Sequence, residues 1–292
     1  MRIAVVGGLG FIGREFSHFA FEQGHVLDVY GRSDYVKKKD DSFNYFKIDY
    51  SNPVSMSLSK ADAMVVLAAK RPSNDFSFED YENNVRIAER CFEFAREAGI
   101  SNVVFASSKA VYSDPSTMPW AEDLYPSPLS LYGASKVAAE QIASLLNAQQ
   151  GMAIKSLRFA QVIGMGERKG YLINTLIDNA IEKKQQIVFG DGSQSRQYVY
   201  IKDVCSAILA ALNHPDIGGV FNIGIPGSVS NLELAECVNS VLGNAGNLVC
   251  DTSKPMGNFC DEMDVSKAAR ELGFTIRYGL RELFEDIAVA EA

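Results

Sequence analysis

Three glycines spaced three apart, Gly7, Gly10 and Gly13, close a short β-rich run, Ile3–Val6, and open a helix-period segment reaching Gln23, with Phe16, Phe19 and Ala20 on its apolar face. This order constrains the fold more than any other feature of the chain. Glycine lets the backbone turn tightly from strand to helix and lets a ligand approach it closely. The helix amides and dipole then face the turn and suit a pyrophosphate. Strand, glycine turn and helix in succession are the context that distinguishes a dinucleotide loop from a bare tight turn.

The same alternation continues for about 160 residues. Val26–Tyr30, Phe43–Ile48, Ala63–Leu67, Val103–Ser107 and Ala153–Phe159 read as strands. Asp80 to Gly99 reads as a helix with Val85, Ala88, Cys91, Phe92 and Ala95 inward, and Leu131 to Gln150 as a second long helix. Strands alternating with helices predict an α/β fold, a Rossmann-type doubly wound parallel sheet covered on both faces. After Gly164 the rhythm loosens. A helix from Tyr171 to Lys184, a strand Gln186–Phe189, a turn Gly190–Ser193, a helix through Asn213 capped by Asp203, and a capping box at Ser230–Glu233 follow. The expected organisation is a dinucleotide-binding domain over residues 1–164 and a smaller substrate-binding lobe over 165–292, interleaved with it, with a ligand between them.

Composition narrows the partners. Hydrophobic residues make up 47% and charged residues 22%, as in soluble globular proteins. A net charge of −8 disfavours nucleic acid or an anionic membrane as the main partner. No apolar run spans a bilayer, and the amino terminus runs into glycine too soon for a signal peptide, so a cytoplasmic protein is expected. Cys91, Cys205, Cys237, Cys250 and Cys260 form no C-x-x-C pair and are odd in number, which predicts buried thiols rather than disulfides. His18, His25 and His214 are scattered, and no metal site is expected.

The chemistry concentrates in Tyr132-Gly-Ala-Ser-Lys136, with Ser107-Ser108 upstream. Four residues apart, a phenol and an ammonium share one helical face. An ordinary tyrosine titrates near pH 10; an ammonium and a cationic nicotinamide beside it favour the phenolate. The phenol then serves as acid or base toward a substrate hydroxyl or carbonyl. Ser108 is placed to bond the same oxygen, and Lys136 to hold the nicotinamide ribose as well. The other reading is an exposed i,i+4 pair.

The cofactor phosphate is less determined. An acid at the end of the second strand binds the adenine ribose of NAD, and a nearby Arg accommodates the 2′-phosphate of NADP. Gly31 and Arg32 stand there, and Asp28 comes earlier. NAD and NADP both stay open, with Arg32 tilting the choice toward NADP. Asp49 is placed either to reach the adenine or to close a turn.

Taken together, Gly7–Gly13, Asp49, Leu67-Ala68-Ala69, Asn83-Asn84-Val85, Ser107-Ser108, Val111-Tyr112, Tyr132-x-x-x-Lys136, Leu157-Arg158-Phe159, Phe189–Ser193 with Arg196, Asn222-Ile223-Gly224 and Asp264–Lys267 form an ordered series. In this the chain resembles the extended short-chain dehydrogenases/reductases, in the NAD-dependent epimerase/dehydratase group acting on nucleotide sugars. The resemblance implies that Phe11 and Ile12 lend amides to the pyrophosphate and that Asp49 and Tyr50 neighbour the adenine. Leu67, Ala68, Ala69, Lys70 and Asn83 would line the cofactor, with Phe159 near the nicotinamide. Ser108, Tyr132 and Lys136 would be catalytic, Ser107 being the second candidate for the serine. Gln161 would touch the substrate and Arg196 would grip its diphosphate. A homodimer joined through the two long helices is implied as well.

Several positions depart from the family pattern. Gln161 stands where an Asn is usual, Ser113 replaces a glycine, and Lys254 is only a stand-in for a second diphosphate-facing Arg. Lys109-Ala110 follow Ser108 where the 4,6-dehydratases carry Asp-Glu, which disfavours dehydration. The leading expectation is a nucleotide-sugar epimerase working by transient oxidation of a sugar hydroxyl. An NADPH-dependent reductase of a keto-sugar or related carbonyl is the alternative, and a non-catalytic dinucleotide sensor a third.

Overall fold

The computed structural model describes residues 1–35, 43–49, 61–167, 170–254 and 259–291. Tyr50, expected beside the adenine, lies outside them. The chain begins with β1 (Arg2–Val6), α1 (Phe11–Glu22), β2 (Val26–Gly31), β3 (Asn44–Lys47), β4 (Ala63–Val66) and α2 (Phe78–Glu97). It continues through β5 (Asn102–Ser108), α3 (Leu131–Gln150), β6 (Ala153–Phe159) and β7 (Gln161–Ile163). Then come α4 (Leu172–Ile181), β8 (Gln186–Phe189), β9 (Ser195–Arg196), β10 (Tyr198–Tyr200), α5 (Ile201–Leu212) and β11 (Gly219–Ile223). The last elements are β12 (Val229–Ser230), α6 (Asn231–Val241), β13 (Leu248–Asp251), α7 (Ser266–Leu272) and α8 (Leu280–Glu291).

Seven parallel strands form the central sheet in the order β11-β6-β5-β4-β1-β2-β3. Such sheets are covered on both faces and read as continuous apolar runs. Accordingly, Ile3, Val5, Val65, Val104 and Leu157 point to one core with Phe16 of α1 and Val204 and Ile208 of α5. Ala4, Val6, Met64, Val103 and Ile154 point to the other, against Phe92 of α2 and Ala139 and Ala143 of α3. The strand order reverses between β1 and β4, so their carboxyl ends open a crevice where ligands bind in such folds.

The chain beyond residue 164 contributes both to the central sheet and to a further core. β11 pairs with β6 and completes the sheet, and α5 packs on α1. The lobe is made of three two-stranded ladders, β7–β10, β9–β12 and β8–β13, around a core that includes Ile173, Leu176, Leu234, Val238 and Phe284. The Ser230–Glu233 capping box is present at α6. Asp203, in contrast, is not a cap. Tyr200 holds that position, and the buried Asp203 carboxylate accepts the amides of Arg277 and Tyr278 at 3.0 and 3.1 Å. It thus anchors the approach to α8 rather than starting α5.

All five cysteines are free, but only Cys91 and Cys205 are buried; Cys250 and Cys260 are exposed, contrary to the expected burial. The two lie on the thin outer ladder and in a loop, where little chain is available to cover them. Among the described residues, no helix is long and apolar enough to cross a membrane, and no cluster of His, Cys, Asp or Glu is placed to hold a metal ion.

Candidate active site

The glycine turn sets the floor of the crevice. Gly7 has φ +86°, and a Cβ there would stand 2.6 Å from the Ala68 amide nitrogen, so neither the backbone angle nor the space admits a side chain. The Gly10 amide closes the turn on Gly7 O at 3.0 Å. Gly10 is the N-cap of α1 and adds no side-chain bond, so the first amides, those of Phe11, Ile12 and Gly13, stay available to an anion. The cradle therefore fits a dinucleotide pyrophosphate.

Two hollows that share Gly7, Gly10, Leu67 and Ala69 in their walls adjoin the turn. One, about 380 Å³, is lined by Gly7, Gly10, Gly31, Arg32, Leu67, Ala68, Ala69, Lys70 and Asn83. The other, about 270 Å³, brings Gly7, Gly10, Phe11, Ile12, Gly13, Leu67 and Ala69 together with Ser108, Tyr132, Lys136, Phe159 and Gln161. Residues far apart in the sequence thus meet at the carboxyl ends of β1, β4, β5 and β6.

Local bonds set each side chain. Ser130 caps α3 through the Gly133 amide and starts the helix just before Tyr132. Gly133 is buried; a Cβ there would meet Ala110 O at 2.2 Å, so the helix start sits tight against the segment after Ser108. Lys136 donates to Ala106 O at 2.7 Å and lies over the Phe105 ring, 4.8 Å from its centre. Ser107 is committed inward, its hydroxyl donating to Glu140 at 2.5 Å. The Ser108 hydroxyl instead accepts from the Ala110 amide and lines the same cavity as the Tyr132 phenol.

Electrostatics differ from the simple tyrosine–lysine picture. Burial lifts the Tyr132 pKa above its ordinary value; Ser108 and then Arg71 oppose the rise, and Tyr171 adds to it. Arg71 acts from the cavity wall, and the Lys136 ammonium lies 5.6 Å from the centre of the Tyr132 ring. Burial also drives Lys136 down to about 8, with Glu140 opposing. Arg71 lines the cavity, pairs with Glu167 at 3.1 Å and lies over the Tyr171 ring.

Other positions stand apart. Arg196 is exposed on β9, over the Phe259 ring at 4.8 Å, and is not in the cavity wall. Asp49 is exposed after β3. Asp28 turns away from the crevice and is held by Arg2 at 2.5 Å and Asn44 at 2.9 Å. Gly31 offers no carboxylate, and a Cβ there would stand 3.0 Å from the Tyr45 hydroxyl.

Sequence reasoning missed three participants. Asn84, rather than only its neighbour Asn83, fixes the loop after β4 by bonding both the amide and the carbonyl of Lys70 at 2.7 and 3.0 Å. Lys109 lines the cavity and pairs with Asp261. Glu140 pairs with Arg158 behind Lys136. The spacing of Glu140, four residues after Lys136, was the one available signal.

Residues 3–224 match the family described as NAD dependent epimerase/dehydratase. A UDP-N-acetylglucosamine 4-epimerase from Bacillus cereus is 30% identical, with a TM-score of 0.89 and coverage of 99% of this chain and 96% of that one. The structure of MoeE5 in complex with UDP-glucuronic acid and NAD is 29% identical, with a TM-score of 0.81 and coverage of 97% and 96%. A UDP-glucose 4-epimerase from Lactobacillus helveticus is 28% identical, covering 83% of this chain and 82% of its own. None of these supports the tilt toward NADP drawn from Arg32.

Proposed function

Because the chain belongs to the NAD-dependent epimerase/dehydratase family and is an enzyme of that family, we propose that it epimerises a nucleotide sugar by transient oxidation of a ring hydroxyl. The observation that carries this reading is the convergence of Ser108, Tyr132 and Lys136 in one cavity with the glycine turn. The reductase alternative finds no comparable support, since the relatives named above are epimerases or bind nucleotide sugars.

The dinucleotide in this reading is NAD. Phe11, Ile12 and Gly13 offer amides to its pyrophosphate. Leu67, Ala68, Ala69 and Asn83 flank the adenosine half, Lys136 holds the nicotinamide ribose and Phe159 backs the nicotinamide. Arg32 is exposed at the rim and serves as a surface charge. When bound, NAD supplies a reversible hydride acceptor.

Tyr132 carries the proton. Its oxygen takes the proton of a sugar hydroxyl as that hydroxyl becomes a carbonyl, and later returns it. Ser108 holds the same sugar oxygen, and Gln161 contacts the sugar. Burial disfavours the phenolate, so the opposing pull of Ser108 and Arg71 matters for reaching it. The sugar turns over between the two proton transfers, and the stereocentre is rebuilt with the opposite hand. Arg196 grips the diphosphate from the lobe, which leaves the sugar free to turn.

The test is to incubate the protein with UDP-, GDP- and dTDP-sugars and resolve the epimers chromatographically. Interconversion of one pair without net use of dinucleotide is expected. Stoichiometric consumption of NADPH with no epimer formed would sink the reading. We further propose a homodimer through α2 and α3, where Leu145 is 55% exposed; a monomer by light scattering would refute it.

A further inference from the structure

Arg71 stands in the wall of the catalytic cavity, and the proposed chemistry gives it no contact with the substrate. Among the described residues, every charged side chain lining that cavity is a cation: Arg71, Lys109 and Lys136. Lys136 is buried and donates to the Ala106 carbonyl, and Lys109 is tied to Asp261 with 16% of its side chain exposed. Arg71 differs from both. Its side chain is 43% exposed and that of its partner Glu167 is 1% exposed, so the carboxylate lies behind and the guanidinium in front. One terminal nitrogen donates to Glu167 at 3.1 Å, and no other described residue accepts a hydrogen bond from this guanidinium. Tyr171, in the same wall, places its ring centre 5.5 Å from the guanidinium carbon. Arg71 follows β4, whereas Glu167 and Tyr171 lead into α4, so two separate segments hold one cation in place.

We propose that Arg71 determines specificity for the sugar: its open nitrogens bind a carboxylate on the ring, and the substrate class is a nucleotide-linked uronic acid rather than a neutral hexose. This rests on the reading of the chain as a nucleotide-sugar epimerase. A guanidinium presents planar, paired donors that match a carboxylate. Held by Glu167 and Tyr171, it loses little freedom when the ligand arrives. A wall that carries cations and no carboxylate suits an anionic ligand, and position says which anion it is. Ser108 and Tyr132 share the wall with Arg71, so the group that Arg71 meets belongs to the reacting sugar. Arg196, to which the diphosphate is assigned, lies outside this wall. A neutral hexose would leave the open donors to hydroxyls and water.

Glu167 competes with such a ligand for the same guanidinium. Removing its carboxylate should therefore sharpen the preference for an acidic sugar, whereas removing the guanidinium should abolish it. A strap with only a mechanical role predicts that either loss acts alike on acidic and neutral sugars.

The experiment titrates full-length Tyr132→Phe protein, loaded with NAD, with UDP-glucuronic acid and UDP-glucose by calorimetry. The two ligands differ only in carrying a carboxylate or a hydroxymethyl group on carbon 5 of the sugar. The acid should bind about tenfold more tightly, the lower end for a charged hydrogen bond because the guanidinium is part-exposed. Adding Arg71→Leu should remove that preference with UDP-glucose affinity little changed. Arg71→Lys should keep part of it, and Glu167→Gln should enlarge it. Arg71→Leu leaves a buried carboxylate without its partner; if it does not fold, Arg71→Leu/Glu167→Gln removes both charges and should show the same loss of preference. Equal affinity for the two sugars, binding of neither, a preference that survives the loss of Arg71, or a loss in Glu167→Gln as large as in Arg71→Leu would overturn the proposal. Epimer formation by the wild type tests the underlying reading separately. Epimers of UDP-glucose formed with no preference for the acid refute the role of Arg71 alone. An Arg71-dependent preference with no epimer from either sugar refutes the epimerisation and keeps the carboxylate subsite.

Discussion

The Lys109 ammonium reaches the Asp261 carboxylate at 2.5 Å and so joins the residue after Ser108 to the lobe. The other Asp261 oxygen accepts the Gln197 amide at 2.8 Å, next to Arg196. One carboxylate thus links the proposed serine to the proposed diphosphate grip. Both partners are largely buried, and burial lowers the Lys109 pKa, with the Arg196 charge adding to the effect and Asp261 opposing it. Asp261→Ala leaves a buried cation without its partner. Breaking such a pair costs roughly 3–5 kcal/mol. Urea denaturation should reveal a loss of that order; a loss within experimental error would mean that water screens the pair.

Tyr132→Phe removes only the oxygen proposed to move the proton. Turnover should fall by about 10²–10⁴-fold, the usual contribution of an acid/base group. Calorimetric titration should find NAD affinity little changed. Turnover within a few-fold of wild type would assign the proton transfer elsewhere.

Arg196→Ala tests the diphosphate grip. A guanidinium binds a diphosphate through paired hydrogen bonds that a truncated side chain cannot replace. KM for the nucleotide sugar should rise strongly while NAD affinity holds. A variant that loses stability or NAD instead would make Arg196 a structural partner of Phe259.

Lys155 yields a pH prediction. It is fully buried on β6, donating to Asn102 at 2.7 Å and to His214 O at 3.0 Å. Burial lowers its pKa from 10.5 to about 8, with Asp216 opposing. Below pH 8 both folded and unfolded chains carry the proton, and the burial cost is felt in full. Between about 8 and 10.5 the folded chain sheds the proton while the unfolded chain keeps it, so this group's contribution to stability rises with pH. The stability difference between wild type and Lys155→Met, taken across that range so that other groups cancel, should therefore shift toward wild type. A flat difference would show that Lys155 titrates normally.

The sheet and the glycine-floored crevice were legible because their signals are local. A glycine turn at Gly7–Gly13 and runs such as Ile3–Val6 declare strand, turn and helix within a dozen residues. The shared helix of Tyr132 and Lys136 was legible for the same reason. The misreadings involve distant partners. Asp203 opens a helix in the sequence like any cap, but its bonds go to residues 277 and 278. Lys109 and Asp261 are 152 positions apart, and nothing in either neighbourhood announces the other. The electrostatics of Tyr132 depended on burial, which spacing does not reveal.

The return of β11 to the edge beside β6 sets an order of assembly. Every other strand of the sheet has been made by Phe159, yet the last arrives only after α4, the turn at Gly190 and α5 have been synthesised. Until then β6 is an open edge, able to pair with a foreign strand. The long loop closed by this pairing belongs to the class of non-local contacts that slow folding. A nascent chain halted before Gly219 would therefore expose a sticky border rather than a finished half-molecule, and division of the gene near residue 164 would yield two aggregating fragments in place of two domains.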